Sequence, residues 1–283
     1  MVYRDGRAEQ VKIAYIGGGS RGWGWGLMSD LASCGDMSGD VYLYDIDFSA
    51  AQHNEVIGNL YRNAEGARSV WNYHAVRSAG EALTGADFVV ISILPGNFDD
   101  MESDVHAPEK YGIYQSVGDT TGPGGIVRAM RTLPMYEEIA ANIRRYCPEA
   151  WVISYTNPMS LCVKTLYRVF PEIRAFGCCH EVFGTQKALA VALLKCRGAE
   201  AERHEIKVNP VGVNHFTWLT NARYRDLDLF LVWREFAERY AATGYTENLD
   251  KNWMNNSFSC SNRVKFDLFL RYGVIAAAGD RHL

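Results

Sequence analysis

Two short polar clusters in the sequence combine side chains that bind metal ions. Residues 177–181 read Gly-Cys-Cys-His-Glu, and residues 212–215 read Gly-Val-Asn-His. Each cluster follows an apolar, strand-like run, which would direct its polar side chains toward a cleft. A cysteine thiolate and a neutral imidazole can together hold a divalent metal and leave positions open for substrate oxygens. Cysteine and histidine also pack in protein cores without a ligand, and these two clusters alone leave that alternative open.

A glycine-rich segment near the start of the chain has the spacing of a dinucleotide-binding loop. Residues 17–22 satisfy Gly-x-Gly-x-x-Gly between a predicted strand and a predicted helix. Glycines permit the tight turn and let backbone N–H groups approach a pyrophosphate at the positive end of the helix. Asp45, which ends the next predicted strand, would accept hydrogen bonds from the adenosine ribose and favour NAD over NADP. The predicted cofactor-binding residues are Gly17, Gly19, Ser20, Gly22 and Asp45. A glycine turn that only packs a helix on a strand is the alternative.

The elements that must position these residues alternate as short apolar strands and longer amphipathic helices. Strands are predicted at residues 12–16, 41–44, 88–93 and 151–155. Helices are predicted at residues 25–33, 50–62, 125–146 and 159–170. These helices are long enough to be right-handed crossovers between parallel strands. The pattern therefore predicts an α/β fold with a Rossmann-type, doubly wound, mostly parallel sheet.

The alternation of predicted strands and helices ends after about residue 198. Two extended segments are predicted at residues 204–213 and 216–224, and residues 229–240 carry aromatic side chains at helical spacing. We therefore predict an NAD-binding domain at residues 1–198 and the start of an α+β substrate and metal domain at residues 199–283. The chain ends after an apolar run with no helix-ending signal, which predicts that the second domain is truncated.

Composition limits the classes of function. The 283 residues are 48% hydrophobic and 22% charged, which is ordinary for a globular protein with one large domain and part of another. A net charge of −4 gives no indication of a nucleic-acid partner or an anionic membrane surface. No apolar run approaches the roughly 20 residues that a bilayer-spanning helix needs. Seven cysteines without a secretory signal predict a reducing, cytoplasmic location without disulfides.

Several motifs in register resemble glycoside hydrolase family 4. They are Gly-Gly-Gly-Ser at 17–20, Tyr-Asp-Ile-Asp at 44–47, Thr-Asn-Pro at 156–158, Cys-His at 179–180, Gly-Val-Asn-His at 212–215 and Gly-Asp at 279–280. Within that family, the chain is most similar to the α-galacturonidase and α-glucuronidase branch. The segments that carry this finer resemblance are residues 93–96, 118–125, 178–181 and 279–282.

The resemblance implies cofactors and roles for individual residues. It implies NAD on the glycine loop and Mn²⁺, or another divalent metal, held by Cys179 and His215. It also implies that Asn157 orients substrate hydroxyls. His180 is the candidate general acid, with a supporting hydrogen bond as its alternative role, and Asp280 resembles the proposed base.

Further candidates for substrate binding come from the polar residues of the same motifs. Asp119 and Arg281 are assigned to the substrate, and Arg281 suits a uronate carboxylate because a guanidinium binds carboxylates through two hydrogen bonds. Arg128 and Arg131 are two more arginines that we expect near the cleft.

The activity that the resemblance implies is hydrolysis of α-glycosides of uronic acids. NAD would oxidise C3, a base would remove the C2 proton, and the C1 substituent would be eliminated before water and hydride return. Alternatives within the family are a 6-phospho-α-glycosidase, an α-glucosidase or an α-galactosidase. A lactate- or malate-type 2-hydroxy acid dehydrogenase would share the nucleotide loop without needing a metal, and a fragment that binds NAD without catalysis is the non-enzyme alternative. The expected partner is a small-molecule glycoside, and the full-length protein is predicted to be a homo-oligomer.

Overall fold

The computed structural model describes residues 1–246 and 260–283. The chain divides into two compact units. The first comprises Met1–Asp104 and Gly125–Cys178, and the second comprises Val105–Gly124 and Cys179–Leu283. Both units therefore contain segments that are distant in sequence.

The first unit is built on a seven-stranded sheet in the order β4-β3-β2-β5-β6-β7, with β1 antiparallel to β2 and every other pair parallel. The strands are β1 (Val2–Arg4), β2 (Arg7–Ile16), β3 (Met37–Tyr44), β4 (Trp71–Val76), β5 (Phe88–Ile91), β6 (Trp151–Ser154) and β7 (Arg174–Gly177). Apart from the extra strand β1, this is the order of a doubly wound dinucleotide-binding sheet, whose direction of winding reverses between β2 and β5. The predicted fold class is confirmed.

Helices connect the strands of this sheet. They are α1 (Gly22–Ser33), α2 (Phe48–Tyr61), α3 (Ala79–Leu83), α4 (Phe98–His106), α5 (Gly122–Tyr146) and α6 (Met159–Val169), and a 3₁₀ turn covers Ala107–Tyr111. Strand β2 shows why two layers of helices are needed, because its side chains alternate between two apolar clusters. Ala14 and Ile16 belong to one cluster, whereas Ile13 and Tyr15 belong to the other. A parallel strand buried on both faces reads as a continuous apolar run, which is how the sequence predicted it.

The second unit combines helices with a small antiparallel sheet in which β9 pairs with β8, β10 and β11. Its elements are α7 (Glu181–Arg197), a 3₁₀ turn (Arg203–Glu205), β8 (Ile206–Val213), β9 (Phe216–Tyr224), β10 (Leu227–Asp228), α8 (Leu229–Tyr240), α9 (Arg263–Tyr272) and β11 (Ile275–Ala276). Trp233 and Phe236 of α8 are fully buried in its core, so the aromatic stretch predicted at residues 229–240 is a packing helix.

The predicted boundary after residue 198 differs from the observed division, because helix α7 packs in the second unit. Its buried residues Leu189, Ala192 and Leu193 share a core with Trp233 and Phe266. All seven cysteines are free thiols. Among the residues that the structure describes, no helix combines the length and the apolar character needed to cross a bilayer.

Candidate active site

The glycine loop of the first unit is held between the ends of β3 and β5. The amides of Gly17 and Gly18 both donate to the carbonyl oxygen of Tyr44, at 3.0 and 2.9 Å. Gly17 has φ +91°, and a Cβ there would lie 2.1 Å from the carbonyl oxygen of Ser92. Only glycine tolerates both this conformation and this closeness. The loop leads into α1, which begins at Gly22 and presents its free N–H groups there.

Asp45 fixes the middle of the loop. Its Oδ2 accepts from the Gly19 amide at 2.8 Å, and its Oδ1 accepts from the Asp47 amide at 2.9 Å. Each carboxylate oxygen keeps a second lone pair, so the carboxylate can still accept from a ribose hydroxyl. The geometry is thus compatible with the predicted role of Asp45 and adds a structural one.

Asn54 supports the loop from helix α2 and was not identified from the sequence. Its buried Nδ2 donates to the carbonyl oxygens of Gly18 and Ser20, at 2.8 and 2.9 Å. The Trp25 indole N–H donates to Asn54 Oδ1 at 2.9 Å. An asparagine inside an ordinary helix carries no local signal of such a role, because its partners lie on a distant segment.

Asn157 follows β6 in the first unit, where Arg128 Nε donates to its carbonyl oxygen at 3.2 Å. Arg131 is also engaged within the first unit, since it forms two hydrogen bonds to the carboxylate of buried Asp104. The two arginines that we expected near a cleft therefore hold protein groups.

The second unit brings Cys179 and His215 together. Cys179 lies two residues after β7 and immediately before His180, the N-cap of α7. His215 lies in the turn between β8 and β9 with φ +64°, a conformation that is rare and costly for a residue with a side chain. Cys179 Sγ and His215 Nε2 are 3.7 Å apart. A cation about 2.3 Å from the sulfur and about 2.1 Å from the nitrogen would separate them by roughly 3.6 Å at a tetrahedral angle.

Glu181 connects the two segments that carry the predicted metal ligands. From the first turn of α7, its Oε1 accepts from Thr217 Oγ1 at 2.9 Å and from the His215 amide at 3.4 Å. Its Oε2 is buried and has no hydrogen-bond partner among the residues that the structure describes. Cys179, Glu181 and His215 each offer a ligand atom within 4.8 Å of the others. A buried acceptor that lacks a donor beside a thiol and an imidazole fits a bound cation.

A second cluster of polar side chains surrounds Nδ1 of His215, the ring nitrogen that does not face Cys179. Thr120 Oγ1 is 2.9 Å from His215 Nδ1 and 2.9 Å from Asp119 Oδ1. The His282 ring stacks on the His215 ring with centroids 3.7 Å apart. Asp119, His215 and His282 form a second set whose ligand atoms lie within 4.8 Å of one another. Two candidate cation sites therefore share His215.

Burial sets the charge states of the two predicted ligands. It lowers the pKa of His215 to about 4, with His282 as a further cause, so this imidazole is neutral at pH 7. Burial raises the pKa of the Cys179 thiol above its usual value, so the thiol is protonated at pH 7 until a cation displaces the proton. His215 can therefore bind a cation in its predominant neutral form, whereas Cys179 must first lose a proton.

These charge states predict the pH dependence of metal binding. Between pH 6 and 8, binding of Mn²⁺ should release about one proton, from Cys179, and the affinity should rise about tenfold per pH unit. Calorimetric titration with Mn²⁺ in buffers of different ionisation enthalpy measures the released protons directly. Release of about two protons would mean that His215 is charged before binding, and release of none would mean that the thiol is not a ligand.

Asp119 Oδ1 lies 3.9 Å from His282 Nδ1, and the candidate acid His180 is close enough to His282 for the two rings to interact electrostatically. Desolvation of the His180 imidazole, together with nearby His282, lowers its pKa, which reduces the protonated fraction available for general acid catalysis at pH 7. Asp280 Oδ1 accepts from the Lys265 amide near the start of α9, at 3.2 Å. An open cleft of about 560 Å³ is lined by residues that include Asp119, Arg281 and His282.

The structure thus separates the predicted site residues into two groups. One group belongs to the first unit and comprises Gly17, Gly19, Ser20, Gly22, Asp45 and Asn157. The other belongs to the second unit and comprises Asp119, Cys179, His180, His215, Asp280 and Arg281. Thr120, Glu181 and His282 were missed as contributors, although all three adjoin residues that the sequence analysis had singled out.

Comparison with known proteins identifies close relatives. An α-galacturonidase from Thermoanaerobacterium saccharolyticum is 62% identical over 284 residues, which covers 100% of this chain and 61% of that protein. The crystal structure of the protein lplD from Bacillus subtilis superposes with a TM-score of 0.90 at 57% identity, covering 97% of this chain and 62% of that one. The chain therefore spans about three fifths of the length of these relatives.

A more distant structure shares the fold. The 6-phospho-α-glucosidase from gut microorganisms, crystallised in complex with NAD and Mn²⁺, has a TM-score of 0.71 at 22% identity and covers 94% of this chain and 61% of that one. Residues 12–195 match the Family 4 glycosyl hydrolase domain, and residues 210–283 match the Family 4 glycosyl hydrolase C-terminal domain. These matches confirm the resemblance that the motifs indicated, and the chain belongs to glycosyl hydrolase family 4.

Proposed function

We propose that this protein is an α-galacturonidase that hydrolyses α-galacturonides with NAD and a divalent metal, Mn²⁺ in the first instance. The observation that carries the proposal is the 3.7 Å approach of Cys179 Sγ to His215 Nε2. It occurs in a chain that is 62% identical to an α-galacturonidase over its whole length. A 6-phospho-α-glucosidase is only 22% identical, which favours the uronide over the phosphosugar.

The two units would supply different parts of the chemistry. In the first, the loop held by Asp45 and Asn54 would bind the pyrophosphate of NAD through backbone amides. In the second, Cys179 and His215 would hold the metal. When bound, NAD supplies a hydride acceptor and the metal stabilises negative charge on neighbouring oxygens. The protein itself has only to hold both groups and to move protons.

Substrate recognition is assigned to one polar residue of each unit. Arg281 is exposed and lines the open cleft of the second unit, where its guanidinium would bind the uronate carboxylate. Asn157, in the first unit, would orient a sugar hydroxyl through its side-chain amide. Neutralising the carboxylate would also explain a preference for uronides over neutral sugars.

Proton transfer is assigned to His180 and Asp280. His180, with its lowered pKa, would donate to the departing group from its minority protonated form. Asp280 would remove the C2 proton, and its carboxylate is oriented by the amide of Lys265. Lys265 is itself fully buried and donates through Nζ to Thr185 Oγ1 at 2.7 Å, which anchors this end of α9.

Assays with aryl glycosides test the proposal. Release of the aryl group from an α-galacturonide by the purified chain should require both NAD and Mn²⁺, should produce no net NADH, and should place deuterium at C2 of the sugar in D₂O. The matched substrates are the α-glucuronide and the 6-phospho-α-glucoside, which we expect to react more slowly. Product without deuterium at C2 would exclude the elimination route, and stoichiometric NADH would indicate a dehydrogenase.

The same assay tests whether these residues suffice for catalysis. If the chain binds NAD and metal but releases no aryl group, the two sites assemble without turnover, as the binding-only alternative predicts. A cytoplasmic location and homo-oligomerisation of the whole protein remain predictions from the sequence.

A further inference from the structure

The hydroxyl group of Thr120 contacts two polar atoms but carries only one hydrogen. Its Oγ1 lies 2.9 Å from Asp119 Oδ1 and 2.9 Å from His215 Nδ1. A carboxylate oxygen can only accept, so the hydroxyl hydrogen must point to Asp119. The contact with His215 is then satisfied only if Nδ1 carries a hydrogen and donates it to Oγ1. The opposite arrangement would place two acceptors against each other at the Asp119 contact.

We propose that Thr120, oriented by Asp119, keeps the proton of His215 on Nδ1 and so makes Nε2 the metal-binding nitrogen. A neutral imidazole has one N–H, and the nitrogen that binds a metal is set by the hydrogen bond that the other nitrogen makes. Nε2 is the atom that faces Cys179 Sγ. The inference rests on the proposed metal site and adds two positioning residues to it.

Thr120 thereby decides between the two cation sites that share His215. A cation held by Asp119, His215 and His282 would need the Nδ1 lone pair, because Asp119 Oδ1 is 3.7 Å from that nitrogen. The hydrogen that Nδ1 donates to Thr120 blocks this site. The site on the Cys179 side needs only Nε2 and remains open. Asp119, which the sequence assigned to the substrate, thus has a second role toward the metal.

The surroundings of His215 make this control effective. The residue is 4% exposed, so water cannot readily replace the Thr120 hydroxyl as partner of Nδ1. The ring of His282 stacks against it and limits rotation of the imidazole. Its backbone amide is bound by Glu181, which fixes the turn that carries the ring. With the ring held in place, the choice of tautomer decides which side can bind a cation.

Cobalt titration of matched variants of Thr120 tests the inference. Co²⁺ bound through a cysteine gives a thiolate-to-metal charge-transfer band, which reports Cys179 ligation without any turnover. Thr120→Val removes the hydroxyl at nearly constant volume and should weaken Co²⁺ and Mn²⁺ binding about 10–100-fold. Thr120→Ser keeps the hydroxyl and should restore near-native affinity and the band. Asp119→Ala, which releases the hydroxyl to donate to Nδ1, should weaken binding like Thr120→Val.

The outcomes separate this inference from the proposed function. If the wild-type chain shows no thiolate band, the metal site itself is wrong and the inference falls with it. If the wild type shows the band and Thr120→Val binds Co²⁺ equally well with the same band, the metal site stands and the role of Thr120 is refuted. Weaker binding in Thr120→Val with the band reduced or lost would support the inference, and tighter binding than in the wild type would refute it. Thermal unfolding and NAD affinity show whether each variant is folded. If Thr120→Val does not fold, the Co²⁺ titration of Asp119→Ala decides whether the inference holds.

Discussion

Replacing Cys179 by serine should lower metal-dependent kcat/KM for an aryl α-galacturonide by more than about a thousandfold, or ~4 kcal/mol, while leaving NAD affinity unchanged. Among the residues that the structure describes, Cys179 is the one cysteine grouped with His215 as a potential metal ligand, and a serine hydroxyl keeps its proton at neutral pH. The glycine loop belongs to the first unit and contains neither ligand. Steady-state assays across Mn²⁺ concentrations, with calorimetric titration of NAD, measure both quantities.

Cys178→Ser is the matched control for this change. Cys178 is the adjacent thiol, but it belongs to neither group of potential metal ligands among the described residues. Its backbone amide donates to Ser154, a bond that the substitution retains. We expect near-native turnover from Cys178→Ser. His215→Ala should lose as much kcat/KM as Cys179→Ser. Unchanged activity in Cys179→Ser or His215→Ala would refute the ligand assignment, and equal loss in both cysteine variants would indicate a structural effect.

The first unit could be predicted well because its signals are local. Strand β2 was recognised from its continuous apolar run, and its glycine loop from glycine spacing between a predicted strand and a predicted helix, with Asp45 after the next strand. Strand β4 was missed because it reads Trp-Asn-Tyr-His-Ala-Val, in which only Trp71 and Tyr73 are buried. Strand β7 was indicated only as a strand-like run before the Cys-Cys-His-Glu cluster, because it has four residues, of which Ala175 alone is buried. Short or edge strands owe their conformation to the neighbour they pair with, so a local pattern gives little information about them.

Helix α7 shows the same limit at the level of packing. Its buried Leu189 and Leu193 contact a core that is completed by Trp233 and Phe266, which lie far along the chain. Nothing between residues 181 and 197 indicates whether the helix covers the parallel sheet or joins another unit. The predicted boundary at residue 198 followed the end of the alternation of strands and helices, whereas the observed division follows the burial of these side chains.

The candidate site divides in the same way. Cys179 and His215 could be proposed because unusual residue types stand at the ends of strand-like runs. Thr120 could not be proposed, because its partner His215 is 95 positions away. A threonine within the segment at residues 118–125 has no pattern that distinguishes it. Glu181 reaches Thr217 across 36 positions. Residues that act through another side chain are recognised only when the fold brings the partners together.

Gly17→Ala should lower NAD affinity more than an added methyl group at any other glycine of the loop. The added Cβ would lie 2.1 Å from the carbonyl oxygen of Ser92, and φ +91° adds about 1–2 kcal/mol of strain for an alanine. The loop must then move away from β5, and its amides lose the positions from which they would bind a pyrophosphate. We expect NAD affinity to fall more than about 100-fold, and the melting temperature to fall by roughly 4–8 °C for ~2 kcal/mol.

Gly26→Ala distinguishes this effect from a general intolerance of the segment. Gly26 lies in the interior of α1, and a Cβ there would have no atom of the described residues within 4 Å, leaving out its chain neighbours and the backbone of its own helix. Since alanine is favoured over glycine in a helix by about 1 kcal/mol, this variant should bind NAD normally and melt at the same temperature or slightly higher. Calorimetric titration with NAD and thermal unfolding of both variants provide the comparison. An alanine at position 17 must displace the loop, because its Cβ would clash with the carbonyl oxygen of Ser92. If Gly17→Ala retained NAD affinity, the loop would therefore not be the pyrophosphate site.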